Sequence, residues 1–341
     1  MMEETKFRPG RQASVEPEDA STALSTWLNS VYEKFLFRAF SLMDNRDLEE
    51  VGFNTIIQLI RLMSHGNPVD FAFPVNLLTS LIEKIISNEA SETALYDLFD
   101  EAVNSYRDLR FYSLRVVSRL AEKTRLQAAS SESSQTYKRL FKILSEFVME
   151  TEAEIAAGEA EVTQFLSECA LPAALSNTKG NLQEFSACWL EFIQGVSAHA
   201  PELHRSILLI INDRIIPYMT KPTLLADYLT DSYNAGGLVS LLALSGLFTL
   251  MHKHNLDYPS FFPKLYSLLD DKILHCRYRK RFCRLFNIFM TSTHMPAYLV
   301  AALVKRVARL SLDASPAVIA WVIPFIYNNF KAHPAIRILI H

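Results

Sequence analysis

The sequence predicts an all-α protein built as an α-solenoid, with armadillo/HEAT-like helix pairs stacked in order along the chain. Apolar residues recur at three- and four-residue spacing through most of the 341 residues, with no stretch of strand-like alternation. Only 9 glycines are present, fewer than a sheet-rich chain needs for its turns. Leu, Ala, Ile and Lys-type helix formers dominate a composition that is 50% hydrophobic, enough for a large core.

Met1 to Ala20 is rich in Glu, Pro, Ser and Arg and reads as a disordered lead-in (1–20). An amino-terminal helical region (21–170) follows. Leu24, Trp27, Leu28, Val31, Phe35 and Phe37 to Phe40 mark its first helix. Asp47 is an expected N-cap for a second helix through Met63, which His65-Gly66-Asn67-Pro68 ends. Phe71 to Ile86 supplies a third helix, and Ser91 an N-cap for a fourth through Leu95, Leu98, Phe99 and Val103. Asp108 to Leu126 and Thr136 to Phe147 follow, separated by a Ser-rich loop at Ala128 to Gln135. Thr151 to Glu161 reads as a frayed, solvated acidic helix, and residues 171–184 as a linker.

The carboxy-terminal region (185–341) is denser in apolar residues. Expected helices are Leu182 to Val196, Pro201 to Ile216 with Pro201 near N1, and Leu224 to Tyr233. Gly236-Gly237 breaks the chain before Leu238 to Lys253. Pro259 opens a helix through Leu269, followed by Arg277 to Phe289. Pro296 and Pro316 introduce helices through Leu312 and Phe330, and Pro334 opens the last segment.

Charge is uneven although the net is only −3. From Phe185 onward sixteen Lys and Arg face nine Asp and Glu, whereas the earlier residues hold eighteen against twenty-eight. A basic half suits nucleic acid or acidic partners, while the same charges could simply decorate solvated helix faces. Cys169, Cys188, Cys276 and Cys283 are few and irregularly spaced, which indicates reduced thiols rather than a disulfide framework. No secretory signal opens the chain.

Residues 232–251 and 285–304 carry no charge and approach the length of a membrane span. Ser232, Asn234, Gly236, Gly237, Ser240 and Ser245 dilute the first run, and Asn287, Thr291 to His294 and Pro296 interrupt the second. Buried core helices are therefore expected over membrane spans.

The sequence offers no catalytic set, so the expectation is a non-enzyme without cofactor or metal. Phosphate-binding loops, the dinucleotide fingerprint and the nucleophile elbow are all missing. His252-Lys253-His254 places its two rings on different helix faces. His275-Cys276 with Cys283 has no paired C-x-x-C, and Asp270-Asp271 reads as a helix stop followed by an N-cap. One basic cluster stands out. Arg277, Lys280, Arg281 and Arg284 share a helical face, with Arg279 beside them, and Lys305, Arg306 and Arg309 form a second strip. These could bind an RNA backbone or an acidic partner segment, serve nuclear import, or form internal salt bridges with Asp270, Asp271 or Asp313.

Longer strings carry a resemblance. Lys221-Pro222-Thr223-Leu224-Leu225-Ala226-Asp227-Tyr228-Leu229-Thr230 runs into Gly236-Gly237-Leu238-Val239-Ser240-Leu241-Leu242-Ala243. His252-Lys253-His254-Asn255-Leu256-Asp257-Tyr258-Pro259, Ser292-Thr293-His294-Met295-Pro296-Ala297-Tyr298-Leu299, Pro324-Phe325-Ile326 and His333-Pro334 follow in order. Over roughly residues 185 to 341 this resembles the CCAAT-binding-factor/Mak21 family, in its nucleolar branch; the amino-terminal half resembles it only in helical character. The resemblance implies a non-catalytic scaffold in small-subunit (40S) assembly, pre-rRNA processing and pre-40S export. It also implies the nucleus and nucleolus as location and a nucleolar protein 14-type assembly factor as partner, within a pre-ribosomal particle. Some family members are described as nuclear-membrane proteins. Members usually extend beyond both ends seen here, so a fragment or an unusually short member is expected. The alternatives are a generic helical-repeat adaptor and an integral nuclear-membrane protein.

Overall fold

The computed structural model describes residues 17–65, 73–87, 94–127, 130–150, 165, 178–259, 261–291 and 295–336. Among them every regular element is helical, and the fold is all-α, of the solenoid type. The chain divides into two compact units, one of residues 1–106 with 164–171 and one of residues 107–163 with 172–341.

The first unit holds α1 (Pro17–Leu42), α2 (Glu49–His65), α3 (Val75–Ser87) and α4 (Ala94–Ser105). Proline suits the first turn of α1, where its missing N–H costs nothing. The helix starts inside the expected lead-in, whose residues 1–16 lie outside the described residues. α1 packs on α2, and α2 on α3 and α4. Met43, Ile56, Ile60, Leu78, Leu81, Ile82 and Phe99 fill the core between them. The apolar spacing of α1 is helical as expected, yet Leu24, Trp27, Leu28, Phe35 and Phe37 are exposed. Asp47 precedes the helix it was expected to cap. The Leu48 carbonyl accepts from Gly52 N–H at 2.9 Å, so the first turn closes on Leu48. Ser91 and His65-Gly66-Asn67-Pro68 fall largely outside the described residues.

The second unit opens with α5 (Arg107–Leu126), α6 (Ser131–Glu146) and α7 (Thr178–His199), and α5 against α7 is its most extensive packing. α6 begins five residues before the expected Thr136. The Ser130 side chain accepts from Ser133 N–H at 3.1 Å and caps the helix inside the Ser-rich stretch. The expected linker (171–184) is likewise helical from Thr178, because Asn181 and Phe185 are already buried against the unit's core. Thr151 to Glu161 and Cys169 are outside the described residues. Tyr137 of α6 donates to the Ala121 carbonyl at 2.9 Å, and burial pushes its phenol up to about 12.

Beyond a 3-10 turn at Pro201–Leu203, α8 (His204–Ile210) widens into a π-turn at Ile211–Ile215. α9 (Ala226–Asn234) and α10 (Gly237–His254) pack as a close pair. Their hinge needs glycine twice, since Gly236 and Gly237 have φ of +79° and +62°. α10 buries Leu241, Leu242, Leu244, Leu247 and Leu250 on all sides, which is why its sequence reads as continuously apolar. Asn255 ends it in the left-handed conformation, with Leu256 N–H bonded to the Leu250 carbonyl at 3.2 Å. Among the described residues no helix is long and apolar enough to cross a membrane. The first uncharged run is split between α9 and α10.

α11 (Phe261–Leu268), a short α12 (Asp271–His275), α13 (Arg279–Met290), α14 (Ala297–Leu310) and α15 (Pro316–Ala332) are the last of the described α-helices. Phe286 lies against Phe325, with centroids 5.2 Å apart, and ties α13 to α15. Phe261 and Phe289, 5.5 Å apart and edge to face, tie α11 to α13.

Candidate partner-binding site

The basic residues of α13 part company in the fold. Arg277 lies in the turn before the helix and is exposed, so it does not share the helical face expected of it. Lys280 and Arg284, four apart, are also exposed. Arg281 turns inward instead. Its Nη1 donates to the Leu209 carbonyl at 3.1 Å, and its Nη2 lies 3.4 Å from Ser245 Oγ. Leu209 sits where α8 changes to the π register, so Arg281 supplies a partner for a carbonyl at that change. α14 repeats the division. Lys305 and Arg309 are exposed, while Arg306 donates to the Leu269 carbonyl at 3.0 Å and sits 5.8 Å from the Tyr266 ring centroid. Two of the eight basic residues therefore brace the fold, through backbone carbonyls rather than carboxylates.

Arg279, Lys280 and Arg284 form one wall at the end of a groove between α13 and α15, with Ala317, Val318 and Trp321 opposite. That section measures about 680 Å³. A second section, about 400 Å³, continues past Asn287 and Trp321 to Thr291, Asn328 and Ala332. The first turns of both helices line the basic end and their last turns line the far end, so α13 and α15 run parallel. The His333 ring, just beyond α15, donates Nε2–H to the Met290 carbonyl at 2.9 Å and holds the far end together. Ile288 (47% exposed), Ile323 (64%) and Tyr327 (59%) leave apolar surface on these two helices in the open.

The basic wall was legible as a cluster; its apolar counterpart was not. The available signal was α15 itself. Its 17 residues hold a single charge, Lys331, so the helix is uncharged on every face of its first four turns.

One constellation was missed entirely. The Ser232 hydroxyl donates to the Tyr228 carbonyl at 2.6 Å, and His204 Nε2 lies 3.0 Å from Ser232 Oγ. Tyr228 Oη lies 3.2 Å from His204 Nδ1. With the serine proton on the carbonyl, His204 donates from Nε2 and accepts the tyrosine proton at Nδ1. The imidazole therefore cannot take the serine proton as a general base would. Ser232 is also buried, at 2% exposure. This closed network staples α8 to α9.

His252, Lys253 and His254 are exposed at the carboxy end of α10, where positive charge suits the helix dipole. His275 is exposed, and Cys276 and Cys283 are free thiols, with Cys283 raised to about 11 by burial. Among the described residues no group of three or more His, Cys, Asp or Glu is placed to hold a metal ion.

Residues 240–341 match the family model of the CBF/Mak21 family. Among curated proteins, the chain is 42% identical over 276 residues to nucleolar complex protein 4 homolog A of Xenopus laevis, covering 80% of this chain and 50% of that protein. It is 37% identical over 272 residues to the Gallus gallus nucleolar complex protein 4 homolog, covering 79% and 52%. Against the Homo sapiens homolog it is 31% identical over 336 residues, covering 95% and 63%. The chain thus spans about half the length of the first of these relatives. The family match starts later than the expected residue 185, whereas the longest alignment reaches well into the amino-terminal half, where the sequence had suggested helical character alone.

Proposed function

From the match of residues 240–341 to the CBF/Mak21 family model, we propose that the chain is a non-catalytic helical scaffold of ribosome assembly, working in the nucleolus. The observation that carries this reading is the similarity to nucleolar complex protein 4 homologues over most of the chain. More finely, the protein acts in small-subunit assembly, in pre-rRNA processing and in pre-40S export. It docks a nucleolar protein 14-type assembly factor within the pre-ribosomal particle. The carboxy-terminal region, residues 185–341, is its main contact body. The exposed cations Arg277, Lys280, Arg284, Lys305 and Arg309 face partner or pre-rRNA, and Arg281 and Arg306 hold the helices that present them. The Ser232–His204–Tyr228 network supports a structural rather than a catalytic reading of its one serine–histidine contact.

Depletion followed by northern analysis of rRNA precursors tests this. Unprocessed small-subunit precursors should accumulate and pre-40S particles should stay in the nucleus. Normal processing together with normal export would reject the proposal.

A further inference from the structure

We infer that the groove between α13 and α15 receives one amphipathic helix of a partner protein, acidic in its last turns and running antiparallel to both. The inference rests on the scaffold reading above and gives it a partner chemistry. The groove has the form such a ligand needs. It lies between two parallel helices, and its walls are largely apolar, with Val318, Trp321 and Phe325 on one side and Cys283, Ile288 and Met290 on the other. A helix laid in a groove of this kind is held by apolar residues at i, i+3, i+4 and i+7.

Charge fixes the direction. Arg279, Lys280 and Arg284 lie at one end, and the other end offers only uncharged polar groups, Asn287, Thr291 and Asn328. No carboxylate lines either section among the described residues. The amino termini of α13 and α15 meet at the same basic end, and neither helix carries a side-chain cap there. Two positive helix ends thus add to three cations. A ligand helix places its own negative end, and any Glu or Asp in its last two turns, against that cluster. The same helix reversed would set its positive end on three cations.

An RNA strand is the other anion this surface could meet. The walls favour the helix, because an RNA backbone seeks cations along its whole path, whereas the cations that line the groove occupy one end; Lys331, in the last turn of α15, lies over the Tyr327 ring outside the lining.

Fluorescence anisotropy with the full 341-residue chain tests the inference. The first probe is a fluorescein-labelled, 20-residue helical peptide with a Leu face and four Glu in its last two turns. The second moves the four Glu to the first two turns, the third replaces them by Lys, and a labelled U20 RNA is the fourth. The first peptide should bind at least tenfold more tightly than the second and third, and U20 should not displace it. Lys280→Glu with Arg284→Glu should abolish that preference while the circular dichroism spectrum and melting temperature stay unchanged. Trp321→Ala should weaken the first peptide about tenfold and leave its preference over the third. Equal binding of the three peptides, an undiminished preference in the double variant, or U20 displacing the peptide would overturn the inference. The wild-type chain's sedimentation with pre-ribosomal particles separates the two claims. Co-sedimentation without peptide preference sinks the groove alone, and peptide preference without co-sedimentation sinks the function alone.

Discussion

Lys280 and Arg281 are neighbours in the sequence and opposites in the fold, and a sequence pattern cannot separate them. Helical spacing placed Arg281 on a face with Arg284, but a long guanidinium can bend toward any carbonyl it reaches. Arg281 reaches the Leu209 carbonyl in the last turn of α8, just before the π-turn. Arg281→Ala should therefore cost about 1.5–3 kcal/mol, the range for hydrogen bonds to charged groups. Lys280→Glu and Arg284→Glu should stay within about 0.5 kcal/mol, as exposed positions do. Urea denaturation measures both, and equal costs would contradict the division. His204 makes a second prediction. Burial holds its imidazole below the ordinary value, and Nδ1 must stay unprotonated to accept from Tyr228. The unfolded chain then binds the proton more readily. Stability from this residue is complete above about pH 6.5 and is lost as pH falls through the lower folded value. The urea midpoint should drop between pH 7.5 and 5.5, and by less in His204→Asn. The same drop in both proteins would show that His204 is not responsible.

Helices and their order were legible because apolar spacing and proline placement are local signals. Helix starts set by side-chain caps were less so. Ser130 caps α6 in a run of serines where several residues could have done so, and only Ser133's burial singles it out. Close approach between helices left no signal at all. Gly195 on α7 faces the buried Tyr137 ring of α6, and a Cβ there would overlap the phenol oxygen. Gly195→Ala should destabilise by about 1–3 kcal/mol, the usual cost of overpacking. Adding Tyr137→Phe should recover part of that loss, since the overlapping oxygen is removed. Gly237 is constrained differently, by φ rather than space. Gly237→Ala should cost about 1–2 kcal/mol, whereas Gly237→Asn should cost less, because asparagine tolerates the left-handed region. Thermal melts rank the four variants, and a neutral Gly195→Ala would mean that Tyr137 moves aside freely.

Two units emerge at the scale of the whole molecule, and the division falls at Arg107 instead of in the expected linker. The reason is physical: α5 packs along the length of α7, so residues the composition assigned to different halves share one core. The Arg110–Glu150 pair, 3.1 Å apart with Arg110 buried and Glu150 half-buried, belongs to that unit. Glu150→Ala should cost about 1.5–3 kcal/mol, the range for a hydrogen bond to a charged group. A change under 1 kcal/mol in urea denaturation would contradict that burial. Function was legible only where long strings matched a family, since apolar periodicity is common to every helical scaffold. The groove between α13 and α15 needed coordinates, for its two walls are separated by all of α14. Gradient sedimentation of the tagged chain from cells, with each fraction probed for small-subunit rRNA precursors, tests the assembly role most directly. The chain should travel with those precursors in pre-ribosomal fractions. Recovery of the chain only at the top of the gradient, free of precursor rRNA, would contradict it.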